Sequence, residues 1–237
     1  TNVAEYWGGE IPWMASGDVH LRSVFDVPGR ITERGLRFSN ATLVAPPAVA
    51  MGLAGQGKTR GTVALIHCEL CTNQSVALIK GDPFKLQTSY LLYNLWFRYE
   101  ELRSRSAGGG RAGLTKSILE QVPIPLPPLP EQTKIAEILA TVDRAIEQTE
   151  SLIAKQQRLK TGLMQDLLTR GIDDHGNLRS EQTHQFKDSP LGRIPVVWEV
   201  DRLESVAEFV TSGSRGWAQY YATEGALFLR IGNLTRH

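Results

Sequence analysis

The sequence predicts a mixed α/β domain continued by one long helix, with the start of a second domain behind it. Three observations carry this. Short β-like runs bounded by Gly, Pro or Asn fill residues 1–127. From Pro130 to Arg170 apolar residues recur at three- and four-residue steps, with no Gly or Pro between Glu131 and Thr161. After a polar linker at 172–185, residues 186–237 return to a mixed pattern.

The 237 residues can bury one or two ordinary cores. A chain with 41% hydrophobic and 22% charged residues has the composition of a soluble globular protein. Lys and Arg number 26 against 25 Asp and Glu, so the net charge of +1 argues neither for nor against nucleic acid; a basic face can hide in a neutral total. No apolar run approaches the length of a bilayer span and no signal peptide opens the chain, so no membrane role is expected. The first residue is Thr, as expected of a processed or truncated start.

In the first region, Ala41–Ala45, Gly61–Ile66 and Ser75–Ile79 read as strands. LQTSYLLYNLWFRYEEL reads as an amphipathic helix with Leu91, Leu95 and Leu102 near one face. A glycine cluster, Ala107–Gly113, interrupts this pattern. The prolines of VPIPLPPLPEQ then exclude a helix until about Leu129. Pro130 suits a helix start, and Glu131 its first turn.

The long helix follows. Ile135, Leu139, Val142, Ile146, Ile153, Leu163 and Leu167 form an a/d seam over about five heptads, with Thr149, Gln156 and Lys160 in its polar gaps. Arg170 and Gly171 supply the cation and glycine of a helix end. About forty helical residues span about 60 Å, more than one small domain covers, so the helix is expected to pack on a partner helix. A plain surface helix on its own domain is the alternative.

The last region opens FKDSPLGRIPVVWEVDRLESVAEFV, and its end echoes the beginning of the chain. In 219–234, Tyr220, Tyr221 and Glu224 align with Tyr6, Trp7 and Glu10; after a one-residue shift, Phe228, Gly232 and Asn233 align with Trp13, Gly17 and Asp18. A duplicated domain type on both sides of the helix explains the echo. His67, Cys68 and Cys71 form a lone C-x-x-C group without a second ligand pair, and two buried or half-buried thiols are the expected reading.

The segment IPLPPLPEQTKIAEILATVDRAIEQTESLIAKQQRLKTGLMQDLLTRGI resembles the conserved spacer of the specificity subunit of type I restriction–modification systems. GRIPVVWEVDRLESVA resembles the opening of a target-recognition domain of that family, and EYWGGEIPWMASGDV a stretch slightly further into one. The resemblance implies a target-recognition domain at 1–127 with its opening missing, a coiled-coil spacer helix at 128–171, a linker at 172–185 and the opening of a second recognition domain at 186–237. It further implies that each recognition domain reads half of a bipartite site in double-stranded DNA while paired spacer helices set the gap. The helices dock methyltransferase subunits, and a restriction and translocase subunit completes the complex. No cofactor is then expected on this chain; S-adenosylmethionine, ATP and Mg belong to the partner subunits. The chain itself is expected to be non-catalytic and cytoplasmic. One spacer helix where a complete subunit has two leaves two expectations open: pairing with a second copy, or a fragment.

One motif competes with that reading. Gly52–Thr59, GLAGQGKT, matches the P-loop pattern of nucleotide-hydrolysing enzymes. A working P-loop follows a buried strand and opens a helix at its Lys–Thr. Here Pro46 and Pro47 are expected to break any strand before the loop, and RGTVALI after it favours a strand over a helix. No apolar run ending in Asp follows to hold magnesium. The glycines still let backbone amides approach an anion. Gly55, Gly57, Lys58 and Thr59 are therefore candidate contacts to DNA phosphate, and Arg60 to a guanine edge; a solvated hairpin turn is the alternative.

Other candidates are Asn73 and Gln74, suited to adenine or to a turn, and Arg105, Arg111 and Lys116, which flank the glycine cluster as a phosphate clamp or a solvated basic loop. Ser16, Asp18 and His20 either face DNA or cap a turn. Trp7 and Trp13 are suited to stacking on bases, but core packing is the expected role in a reader of duplex DNA. APPA at 45–48 lacks the polar and aromatic flanks of an amino-methyltransferase motif, and no nuclease-like carboxylate set is seen. The remaining functional alternatives are a helical scaffold that reads no DNA and a P-loop nucleotide-binding enzyme.

Overall fold

The computed structural model describes residues 3–55, 57–105, 113–212, 216–227 and 229. A 3-10 turn at Ala4–Tyr6 leads into β1 (Trp7–Met14), and a second 3-10 segment at Ser16–Leu21 into β2 (Ser23–Val24), β3 (Arg30–Ile31) and α1 (Glu33–Arg37). β4 (Ala48–Gly52), β5 (Val63–Ile66), β6 (Cys71–Thr72) and β7 (Val76–Ile79) follow. Then come α2 (Thr88–Phe97), α3 (Tyr99–Ser104), α4 (Lys116–Glu120) and the 42-residue α5 (Leu129–Arg170). The chain continues with the hairpin β8 (Phe186–Ser189) and β9 (Gly192–Pro195), α6 (Leu203–Val206) and a 3-10 turn at Trp217–Tyr220. It divides into two compact units, Thr1–Ile153 and Ala154–His237.

The first unit is built on a four-stranded sheet in the order β2-β5-β4-β7, beside a smaller sheet β3-β1-β6. β4 is antiparallel to both neighbours, pairing Ala48 with Ile66 and Val49 with Ile79. Side chains alternate across a strand, so β4 feeds two cores. Ala48 and Ala50 join Met14, Val24, Ile66 and Leu70 on one face. Val49 and Met51 join Val63, Leu91, Leu95 and Leu102 on the other. The three leucines expected on one helical face thus meet the sheet.

Three sequence expectations are corrected. Pro46 and Pro47 do not break the strand before the glycine loop: they end just ahead of it, so every residue of β4 keeps its ladder N–H, and all five are buried. Ala41–Ala45 forms only an isolated bridge, Val44 to Leu70. The single helix expected over 86–102 is two, parted at Arg98, whose backbone leaves the helical region at φ −94°, ψ 19° while its guanidinium holds Glu101 and the Pro123 carbonyl.

α5 begins at Leu129, as the prolines dictate, and Gln132 and Ala136 are its buried residues. Gln132 is fully buried, and its amide has its needs met. Its Oε1 accepts from the Gln87 N–H at 2.9 Å, and its Nε2 donates to the carbonyls of Lys85 and Pro127 at 2.9 and 2.8 Å. Further along, Ile138, Leu139, Val142, Ile146, Ile153, Leu163 and Leu167 are exposed.

In the second unit α5 ends as expected at Gly171, in the left-handed region at φ +63°; a Cβ there would meet the Trp198 ring at 2.5 Å. The linker closes into a turn, with Ile172 bridged to Leu178 and the Asp173 carboxylate accepting from the N–H groups of His175 and Asn177. Those bonds hold the Asp173 carboxyl below its usual range. The echo of the chain's beginning is partial. A 3-10 turn precedes Tyr221 as one precedes Trp7, but residues 221–227 form no strand, and Phe228, Gly232 and Asn233 lie outside the described residues.

Replacing Gln132 with Ala strands one N–H and two carbonyls at a buried junction. Unfolding in denaturant is expected to show a loss of about 2–3 kcal/mol. Gln132→Glu, which has no N–H to offer the two carbonyls, is expected to be at least as destabilising at pH 7.

Candidate nucleic-acid interface

The glycine-lysine loop joins β4 to β5 as a hairpin connection. Gly52 must be glycine: a Cβ would lie 2.3 Å from the Thr59 carbonyl oxygen. Its N–H donates to the Thr62 carbonyl, and its own carbonyl accepts from Gly61, which sits at φ +82°. Beyond Thr59 the chain enters an antiparallel strand, not a helix, so the amides cannot gather at a helix end as a nucleotide P-loop requires.

α3 clasps the loop by its carbonyls. Tyr99 Oη donates to the Lys58 carbonyl at 2.9 Å. One Arg103 nitrogen reaches the carbonyls of Gly57 and Arg60 at 2.8 and 3.0 Å, and the Tyr99 hydroxyl at 2.9 Å. Tyr99 and Arg103 are four residues apart and so share a face of the helix. On the other side, Thr59 Oγ1 lies 3.1 Å from His20 Nε2. The Lys58 side chain stays exposed.

Gly57 and Lys58 form one rim of an open cleft of about 950 Å³ in the first unit. Its other walls are His20 and Arg22 from the turn before β2, Tyr93 and Trp96 of α2, Tyr99 and Arg103 of α3, and Asp143 and Arg144 of α5. The Arg22 guanidinium carbon lies over the Trp96 ring, 4.0 Å from its centroid, and Trp96 stacks with Tyr93. Tyr93 donates its hydroxyl to the Asp143 carboxylate at 2.7 Å. Burial and that carboxylate push the Tyr93 phenol well above its usual range. The carboxylates of the cleft all stand on helices, Glu100 on α3 and Asp143 and Glu147 on α5. Arg22 and Lys58 come from loops.

The other candidates lie elsewhere. Gly55 is exposed at φ +118°, and Arg60 is half-buried with its Nε shielded from solvent. Asn73 and Gln74 sit at the turn between β6 and β7, where Asn73 Oδ1 accepts from the Ser75 N–H. They line a second hollow, of about 700 Å³, with Trp7 and Trp13. The two tryptophans are not core residues. They stand edge to face at 5.6 Å, Trp7 is 41% exposed, and it is Met14, on the opposite face of β1 from Trp13, that enters the core. Asp18 caps its own turn by accepting from the Ala15 N–H.

Arg105 is held by Glu101 at 2.7 Å, and Lys116 faces Glu120 at 3.6 Å. Arg111, the third member of that expected clamp, lies outside the described residues. Cys68 and Cys71 are free thiols whose pKa values burial raises, and no metal-binding cluster forms among the described residues. Sequence reasoning missed Arg22, Trp96, Tyr93, Asp143 and the Tyr99–Arg103 clasp. Only the clasp left a signal, its i, i+4 spacing.

The geometry is that of an α/β domain with a loop-borne cationic rim, continued by a long helix whose apolar residues are exposed. The chain belongs to the type I restriction modification DNA specificity domain family, whose model matches residues 1–156. The MjaVIII type I restriction enzyme specificity subunit of Methanocaldococcus jannaschii is 34% identical over 182 residues, covering 77% of this chain and 40% of that protein. The MjaIX specificity subunit of the same organism is 28% identical over 242 residues, covering all of this chain and 54% of that protein. The chain thus spans about half the length, or less, of these relatives. Two solved structures share the fold. A chain of a type I restriction–modification complex matches 73% of this chain at a TM-score of 0.55 and 18% identity, with 42% of its own length covered. The HsdS subunit from Thermoanaerobacter tengcongensis matches 70% of this chain at 0.50 and 20%, with 40% of its own length covered.

Glu101 accepts from both Arg98 and Arg105, and those bonds hold its carboxyl down at about 2. A depressed carboxyl stabilises the fold above its unfolded value, near 4.5, and the contribution fades as pH falls toward 2. The stability gap between the protein and its Glu101→Gln variant is therefore expected to be constant from pH 7 to 5 and to close below that. A gap unchanged at pH 2 would show that the charge contributes nothing.

Proposed function

We propose that this chain is a DNA sequence-recognition part of a type I restriction–modification specificity subunit. The observation that carries it is the clasped loop of the family's own domain. With the carbonyls of Gly57, Lys58 and Arg60 committed to α3, what the loop offers outward is the Lys58 ammonium and a glycine backbone. Such groups position a phosphate backbone without reading sequence. The first unit then reads one half of a bipartite duplex site, and the loop's resemblance to a nucleotide-binding motif reflects the shared chemistry of phosphate.

In this reading α5 is the spacer. Its exposed Leu139, Val142, Ile146 and Leu163 pack on another helix, either the second spacer of a complete subunit or α5 of a second copy, and the pair docks methyltransferase subunits. The chain contributes recognition and assembly. Methyl transfer, with S-adenosylmethionine, and the ATP- and Mg-dependent steps belong to partner subunits.

Lys58→Ala is expected to weaken binding to any duplex about equally and to lower the slope of log affinity against log salt by about one. An unchanged slope would remove Lys58 from the contacts. A helical scaffold that reads no DNA predicts equal competition by every duplex sequence. For the helix, light scattering is expected to show self-association that Leu139→Glu with Ile146→Glu abolishes; a fully helical monomer at the same concentration would end the pairing idea for this chain.

A further inference from the structure

Arg22 stands out within the cleft on three independent grounds. It is the one non-glycine residue with positive φ among the described residues, at +61°. That conformation strains a side chain bearing a Cβ and persists only where the surroundings impose it. Here the Leu65 N–H donates to the Arg22 carbonyl at 2.7 Å, fixing the backbone against β5. The guanidinium lies 4.0 Å over Trp96. No carboxylate pairs with it among the described residues, whereas Arg98 and Arg105 are held by Glu101.

A guanidinium held over a ring face is restrained by the cation–π attraction while its N–H groups remain available to a ligand. A planar fork of two such donors fits the O6 and N7 acceptors of guanine in the major groove. The loop's own arginine is less suited, because Arg60 is half-buried with its Nε shielded. Lys58, on the same cleft, supplies the phosphate contact that would bring a base edge within reach.

We infer that Arg22 is a specificity-determining residue that reads one guanine of the target, with Trp96 as the residue that positions its fork. The inference rests on the DNA-recognition reading above and adds to it a residue, a base and a geometry. It also explains the strain: the turn before β2 is shaped to present this side chain, at a conformational cost that a glycine would not incur.

The test is selection from a randomised duplex library by the full chain, compared with Arg22→Gly, Arg22→Lys and Trp96→Leu, each checked by thermal melting. Gly suits the local φ, so Arg22→Gly is expected to melt no lower than the parent. The parent is expected to enrich a motif containing a guanine. Arg22→Gly and Arg22→Lys both lose preference at that one position by about tenfold or more, with the rest of the motif kept. Trp96→Leu weakens the same preference without abolishing affinity. An unchanged motif in both Arg22 variants overturns the inference and leaves DNA recognition standing. So does a uniform loss of affinity that Lys restores, which is the signature of a phosphate contact. A parent that enriches no motif overturns both readings.

Discussion

The buried side-chain amide of Gln132 is the constraint on which the arrangement of the first unit depends. A proline-rich approach to a helix lacks N–H donors while its carbonyls still need partners, so side chains must supply the donors. They do: Arg98 binds the Pro123 carbonyl, Tyr90 the Pro125 carbonyl and Gln132 the Pro127 carbonyl. Gln132 alone closes the circuit in both directions, because an amide donates and accepts. It ties the first turn of α5 to the backbone at Lys85 and Gln87, immediately before α2. A carboxylate of the same reach meets only the accepted bond, and an ammonium only the two donated ones.

The cleft inherits its shape from this junction. α2 carries Tyr93 and Trp96, α5 carries Asp143, and the Tyr93–Asp143 bond repeats the attachment about three turns along. With the two helices tied together, Trp96 is held against Arg22, and α3 clasps the glycine-lysine loop. Structural side chains do the holding, so that few exposed ones remain to meet a ligand. Arg98, Tyr99, Arg103 and Arg105 are spent on carbonyls and carboxylates, and counting basic residues on this surface would overstate what it offers a ligand.

The sequence made α5 legible almost to the residue, since proline, heptad spacing and a terminal glycine each report a local backbone requirement. The leucines of α2 and α3 were legible for the same reason. The strand before the loop was not, because prolines that end one residue ahead of a ladder look in sequence like prolines inside it. Trp13 was misplaced because alternation along β1 buries Met14 instead, and hydrophobicity alone does not say which face a sheet covers. Of the candidate contacts, Gly57 and Lys58 share the cleft, while Asn73 and Gln74 line a different hollow and Arg105 is paired. Arg22 left no trace at all. Its significance lies in a backbone angle and a stacking partner 74 residues away, both tertiary facts.

In the proposed reading, in which the chain recognises one of two spaced half-sites, the Gln132 junction has a geometric consequence. A helix of 42 residues is about 60 Å long. A tilt of only about 10° at its first turn would displace its far end by about 10 Å, or about three base pairs of duplex. A spacer that sets the gap between half-sites, as proposed above, is therefore better served by directional bonds than by a flexible linker or by apolar contacts that slide. It needs directional bonds at the pivot and a second tether along the shaft. Gln132, with three hydrogen bonds to backbone, and Tyr93–Asp143 meet that need. The price is a buried polar group that must be fully satisfied, which is why the side chain at the pivot is a neutral amide.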